Sequence, residues 1–294
     1  MGIANRVFYF SALSVLALSA SEESFAGFER RCAGARSQGV AGALTTFGED
    51  AWSFYSNPAR TASIAELGLF YVPSTFGLQE VKSMGAVYRG HALGFDFSGA
   101  VQMFGCEIYR ETITSAGVSI PLSDFLFVGS NLNLNHLFIE NYGTDVAASL
   151  DAGTKMFLSD HFALGFCVTN INSASMTMSD DRLPQSVAGG LGYLSDELNV
   201  GIEYFKEVGF PSAARIAAEY SPVKFITVRA GSASGSGSFN AGISLKIATF
   251  RVHYGAAFHQ VLGATHSFGV SLEFSGGRTE FENIQTYRQS LRQR

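Results

Sequence analysis

Charge is scarce in this sequence. Asp, Glu, Lys and Arg make up 15% of its 294 residues, hydrophobic residues make up 47%, and the mean hydropathy is +0.16. An ordinary soluble domain of this size rarely shows that balance. The net charge of -5 is mild and unclustered, which leaves no basic face for a nucleic-acid partner. Long apolar runs are also missing: beyond the N-terminus there is no stretch of about 18 consecutive apolar residues, the minimum for a membrane-spanning helix. A chain suited to an apolar solvent but without such a helix is left with one route across lipid, a closed barrel whose backbone groups pair between strands. A soluble β-sandwich or small barrel is the competing reading.

Cysteine is sparse too. Cys32, Cys106 and Cys167 stand far apart with no CxxC pair, which suggests neither a disulfide framework nor a zinc site. They read as small buried side chains, and an oxidising periplasm would permit a Cys106 to Cys167 bridge. Cys32 follows Glu29-Arg30-Arg31, not the small apolar residues of a lipid-attachment site. Catalytic sets are absent as well. His253 and His259 would stand about 20 Å apart on an extended strand, too far to share a metal. Gly189-Gly190-Leu191-Gly192 and the 231–237 run (GSASGSG) lack the strand-to-helix setting of a phosphate loop and read as turns or small lumen-facing positions. Asp160, Asp180 and Asp181 do not form a calcium-type loop, and no Ser/His/Asp set assembles. The sequence therefore indicates no enzyme, no catalytic residue, no metal and no cofactor.

What is present is glycine, phenylalanine and tyrosine in quantity, 32, 26 and 11 residues, as tight turns, strands and interfacial aromatic girdles require. Arg6 precedes the apolar stretch 7–20 (VFYFSALSVLALSA), and small residues follow at Ser19-Ala20 and at Ser24 and Ala26. Residues 1–26 thus read as a signal peptide, with cleavage after Ala26 or Ala20. From residue 65 the chain alternates with period two, the mark of strands with one apolar and one polar face. In 265–275 (THSFGVSLEFS), Phe268, Val270, Leu272 and Phe274 share one face, and Ser267, Gly269, Ser271 and Glu273 share the other.

The same reading places strands at 65–72, 82–90, 92–104, 107–121, 125–139, 144–158, 161–171, 185–195, 197–206, 212–221, 224–232, 237–247, 249–259 and 266–275. The fold class is all-β, a transmembrane antiparallel barrel of about fourteen strands over 65–275. Connections are short; the longest are 73–81 and 172–183. Glu203, Arg215, Glu219, Arg229, Lys246, Arg251, His253 and Glu273 all fall opposite the apolar stripe, so the lumen is expected to be charged. Each such group facing lipid at mid-depth would cost about 2–4 kcal/mol. The group reads as a neutralising wall network, with an ion or substrate path as the sharper alternative.

Residues 27–64 do not alternate and read as a plug with a short helix ending at the Asn57-Pro58 turn. Residues 276–294 form a polar tail in which Phe281, Ile284, Tyr287 and Leu291 have near-helical spacing. Several stretches resemble a known family: 34–43 (GARSQGVAGA), Glu49-Asp50-Ala51, Asn57-Pro58-Ala59, 183–193 (LPQSVAGGLGY), 219–222 (EYSP), 229–231 (RAG) and 262–266 (LGATH). In that order they resemble FadL-type outer-membrane barrels, nearest the PorV/PorQ branch, over nearly all of the mature chain. The resemblance implies a fourteen-stranded barrel with the N-terminal hatch in its lumen. It implies transport of long-chain fatty acids or other hydrophobic compounds, or, in the PorV/PorQ branch, a component of type IX secretion that binds exported proteins. Asn57, Pro58 and Ala59 would lock the hatch. Trp52, Phe54 and Tyr55 would touch a hydrophobic ligand or pack the plug against the wall. The sequence is shorter than typical members and lacks their long extracellular loops.

Overall fold

The computed structural model describes residues 27–28, 32–48, 50–61, 64–75, 77–234, 237–259, 263–274 and 279–293. The expected signal peptide at 1–26, together with Glu49 and Leu262 of the family-like stretches, lies outside them. Fourteen antiparallel strands close into one barrel: β1 (Glu66–Val72), β2 (Lys82–Ala92), β3 (Phe95–Gly105), β4 (Tyr109–Pro121), β5 (Leu126–Ile139), β6 (Gly143–Phe157) and β7 (Phe162–Thr169). They continue with β8 (Ser186–Tyr193), β9 (Leu198–Glu207), β10 (Ala213–Val223), β11 (Ile226–Ala233), β12 (Ser238–Ile247), β13 (Phe250–His259) and β14 (Gly263–Glu273). Each strand pairs with its sequence neighbours, and β1 pairs with β14. Closure leaves no sheet edge, which is the condition for crossing lipid with strands.

Alternation drives this arrangement. On β1, Leu67, Leu69 and Tyr71 point outward while Glu66, Phe70 and Val72 are buried. Outward apolar residues recur on every strand, from Met84 and Tyr88 to Val270. A continuous apolar belt of this kind marks a lipid-facing surface.

All fourteen strands lie where alternation places them, with two instructive shifts. β3 begins at Phe95, not at 92, because Leu93 and Gly94 both take positive φ, 55° and 84°, the twist that two-residue hairpins favour. Leucine gives no such signal in sequence. β14 begins at Gly263, because its first residues complete the ladder opposite Phe258 and His259.

We call the end where β1 starts the lower end. Its turns are short, as at 93–94 and 224–225, whereas the upper end carries the longer connections 73–81 and 170–185. The 170–185 segment replaces strand pairing along the upper half of β6. Ile171 and Thr177 donate their backbone N–H to Leu150 (2.8 Å) and Val146 (3.0 Å), and Met176 and Leu183 fold inward against Phe28 and Ala147. Cys32, Cys106 and Cys167 are in no disulfide, so the bridge between Cys106 and Cys167 that the sequence permits is not formed; of the three, only Cys167 is fully buried.

Residues 32–48 and 50–61 run inside the barrel as a short helix α1 (Gly34–Gly39), a 3-10 turn (Ala51–Tyr55) and connecting coil. The wall admits them because inward positions at mid-height are small. A Cβ at Gly129 would collide with the Pro58 carbonyl, and one at Gly255 with that of Ala35. Gly153, Gly165, Gly201 and Gly231 face the same segment, so it lies against the wall around most of the circumference. At the lower end, helix α2 (Glu280–Arg292) follows the last strand, opened by a capping box between Thr279 and Glu282. We expect Gly129→Ala to lower stability by about 1–3 kcal/mol through overpacking. Gly99→Ala, on the outer face with nothing near its Cβ, should stay within about 0.5 kcal/mol. Denaturant midpoints in detergent check both, and equal midpoints would show that the segment does not need the glycine contacts.

Candidate functional site

The inward wall charges expected from the sequence gather in three clusters at different places on the wall. Glu203 on β9 accepts from Arg215 on β10 (3.1 Å) and from the backbone N–H of Thr45 (3.1 Å), and its second contact is the Thr45 hydroxyl. Arg215 also lies over the Phe205 ring, 3.6 Å from its centroid. Glu219 on β10 is clamped between two guanidiniums: Arg229 on β11 (2.5 Å) and Arg36 of α1, whose Nε donates at 2.7 Å. Glu273 closes the third cluster with Lys246 (2.6 Å) and Arg251 (2.9 Å). His253 sits between Ser244 (2.7 Å) and Ser271 (3.3 Å). Antiparallel register on adjacent strands sets Glu203 opposite Arg215, Glu219 opposite Arg229 and Lys246 opposite Arg251, while Glu273 on β14 reaches Lys246 on β12 past the intervening β13, and Arg36 and Thr45 come from the inner segment.

Sequence reasoning identified the wall residues but missed Arg36, the partner that ties the inner segment to them. The available signal was its isolation: Arg36 is the only charge in 34–48. Burial opposes the Arg36 charge, but Glu219 and Glu280 outweigh it and hold the guanidinium's pKa well above its ordinary value. Burial pushes the neighbouring Asp50 carboxyl up, against the pull of Arg36 and Arg229.

Asn57, Pro58 and Ala59 lie where the inner segment meets β5 and β6. The Asn57 amide donates to the carbonyl oxygens of Thr45 (2.8 Å) and Thr154 (3.0 Å), and its oxygen accepts from the Ala59 N–H (2.9 Å). One side chain thus joins two parts of the segment to the wall. Trp52 and Phe54 are buried packing groups: Trp52 meets Phe70 edge-on with centroids 4.8 Å apart, and Phe54 lies against Asn131 and Tyr55. Of the three aromatic residues, Tyr55 borders open space, its hydroxyl donating to Ser115 (3.0 Å).

That space is a cavity of about 140 Å³ in the upper lumen, above the inner segment. Phe28, Ile113 and Leu183 give it apolar surface; Asn133, Asn135 and Asp151 give it polar surface. Outside the wall, at the upper rim, a groove of about 720 Å³ runs between the 73–81 connection and the β3–β4 turn. Met103 and Phe104, neighbours on β3 that point to opposite faces, border both spaces. Neither residue carried a signal in sequence, because an alternating strand gives every position the same weight.

No family model matches the chain, and no curated protein matches it. Among solved structures, the chain is similar to the Pseudomonas putida toluene transporter TodX, with TM-score 0.61, 14% identity, and coverage of 84% of this chain and 98% of that one. It is similar also to a Pseudomonas aeruginosa FadL homologue, with TM-score 0.57, 12% identity and coverage of 84% and 99%. The Ralstonia pickettii toluene transporter TbuX gives TM-score 0.57, 12% identity and coverage of 82% and 97%. At these identities the likeness is one of fold: a fourteen-stranded barrel of the FadL type.

Removing the carboxylate that two guanidiniums share should leave the buried Arg229 without its carboxylate partner and Arg36 with Glu280 alone. We expect Glu219→Gln to cost about 3–5 kcal/mol and Glu203→Gln less, since Arg215 is partly exposed. Chemical denaturation in detergent compares them. An equal cost for the two would place the anchor of the inner segment elsewhere.

Proposed function

We propose that the chain is an outer-membrane channel for hydrophobic molecules of about single-ring size, its upper end facing outward and its lower end facing the periplasm. The observation that carries this reading is the shared border at Met103 and Phe104 between the outer groove and the luminal cavity. A ligand could gather in the groove and cross the wall by displacement of these two flexible, apolar side chains. The cavity of about 140 Å³ matches the roughly 150 Å³ cavity known to hold benzene. It would hold one ring but not an extended fatty acyl chain. The toluene transporters of similar fold support that size class.

In this reading residues 1–26 direct export, residues 27–64 act as the hatch, and Asn57, Pro58 and Ala59 lock it to the wall. Tyr55 is the aromatic residue placed to touch a ligand. The charge pairs serve the wall and hatch; of their members, Arg215 also lines the luminal cavity.

A second reading, a PorV/PorQ-like component of type IX secretion, is favoured by one observation. Helix α2 lies outside the sheet at the lower end and exposes Gln289, Ser290, Arg292 and Gln293, a polar surface that could meet a protein partner. Crosslinking in the native membrane that captures a secretion component or an exported protein would favour it.

The test of the channel is saturable uptake of radiolabelled toluene or ethylbenzene into proteoliposomes. Phe104→Trp should lower the rate several-fold and Phe104→Ala should raise it. Uptake no faster than in empty liposomes, or unchanged in both variants, would remove the channel reading or its route respectively.

A further inference from the structure

The barrel wall ends at Glu273, yet the chain returns across the lower mouth. Helix α2 touches the turns of four separate hairpins on its way: Asp124, Asp160, Asp196 and Lys224 are partners of Arg292, Arg288, Thr279 and Glu282. His161 stacks on Phe281 with centroids 5.3 Å apart. A helix of 13 residues is about 20 Å long, long enough to bridge these turns. Its inner face buries Ile284 and Tyr287 in the same apolar cluster as Phe127 and Leu194 of the wall and Leu44 and Phe47 of the inner segment. At its N-terminal end, Glu280 reaches Arg36 (2.9 Å) and accepts from the Gly48 N–H (3.2 Å). The guanidinium that Glu219 anchors to the wall is thus also the one that holds the helix.

The geometry points to α2 as a second gate, closing the lower mouth and coupled to the inner segment through Glu280. The gate rests on the channel reading only for what passes, not for whether the mouth is closed. Its rim contacts suit a part that moves. Lys224, Arg292 and Asp160 are 73%, 51% and 60% exposed, and ion pairs between such groups contribute little in water. The substantial holding contacts are the buried Ile284 and Tyr287, the buried Arg288 lying over the Phe157 ring and donating to the Asp124 carbonyl (2.8 Å), and the Glu280 latch. The helix can therefore leave without unpairing a strand, and opening costs far less than unfolding the wall.

The full-length protein in planar bilayers tests this, with amide hydrogen exchange on the same preparations. In Ile284→Asp, exchange over 280–292 should speed by about tenfold or more, ion conductance should rise several-fold, and the barrel should still migrate as a folded band without boiling. In Glu280→Gln, a milder change at a partly exposed side chain, exchange should speed both in α2 and in α1, which the residue does not belong to. Fast exchange in α2 without any rise in conductance, in either variant, would overturn the gate. Unchanged exchange over 34–39 in Glu280→Gln would overturn the coupling. A rise in ion conductance with no hydrocarbon uptake by wild type or variants would leave the gate standing and remove the channel reading.

Discussion

Glu219 stands between Arg36 and Arg229 in the interior of a barrel whose outer face is apolar. A carboxylate there cannot be left unpaired, and neither can either guanidinium, because the desolvation cost of a lone buried charge is several kcal/mol. The inner segment is therefore bound to the wall by an ion pair at Arg36, by hydrogen bonds such as Thr45 to Glu203 and Asn57 to the Thr154 carbonyl, and by packing elsewhere. The neutral apolar contacts at Val40, Phe47 and Trp52 add burial, but they do not fix which strand the segment must face. The Arg36 to Glu219 pair, 2.5 Å at its shorter contact, does.

From that anchor the remaining features follow in order. The segment can lie flat on the wall only because glycine removes the side chain at contacts such as Gly129, Gly153 and Gly255. With the segment in place, the lumen divides: above it lies the small cavity bordered by Tyr55, Asn133 and Asp151, and below it the apolar surface on which α2 rests. A barrel of this circumference without the segment would be an open aqueous pore. Filling it leaves the small upper cavity and an apolar lower surface that α2 covers.

The polar requirements of the interior and the apolar requirements of the exterior pull on the same strands, and period-two alternation meets both. Asn57 shows the same economy on a smaller scale. Its amide donates to one carbonyl of the segment and one of β6, and buried polar groups left unpaired are costly. The result is an inner segment held to the wall by directional contacts.

Fold class, strand number and the inward placement of Glu203, Arg215, Glu219, Arg229, Arg251 and Glu273 were legible in the sequence, because each rests on a local period that any single strand displays. The helical spacing of Phe281, Ile284, Tyr287 and Leu291 was legible for the same reason. Which inward charges pair, and that Arg36 and Glu280 join them across 183 and 244 positions of chain, was not. Pairing depends on register and closure, which are properties of the whole barrel. The turn at Leu93 escaped because its positive φ is imposed by hairpin twist and not by the residue. The cavity, the shared border at Met103 and Phe104, and the position of α2 over the lower mouth belong to tertiary structure alone. Empty space, and what covers it, is defined by residues distant in sequence that only closure of the sheet brings together.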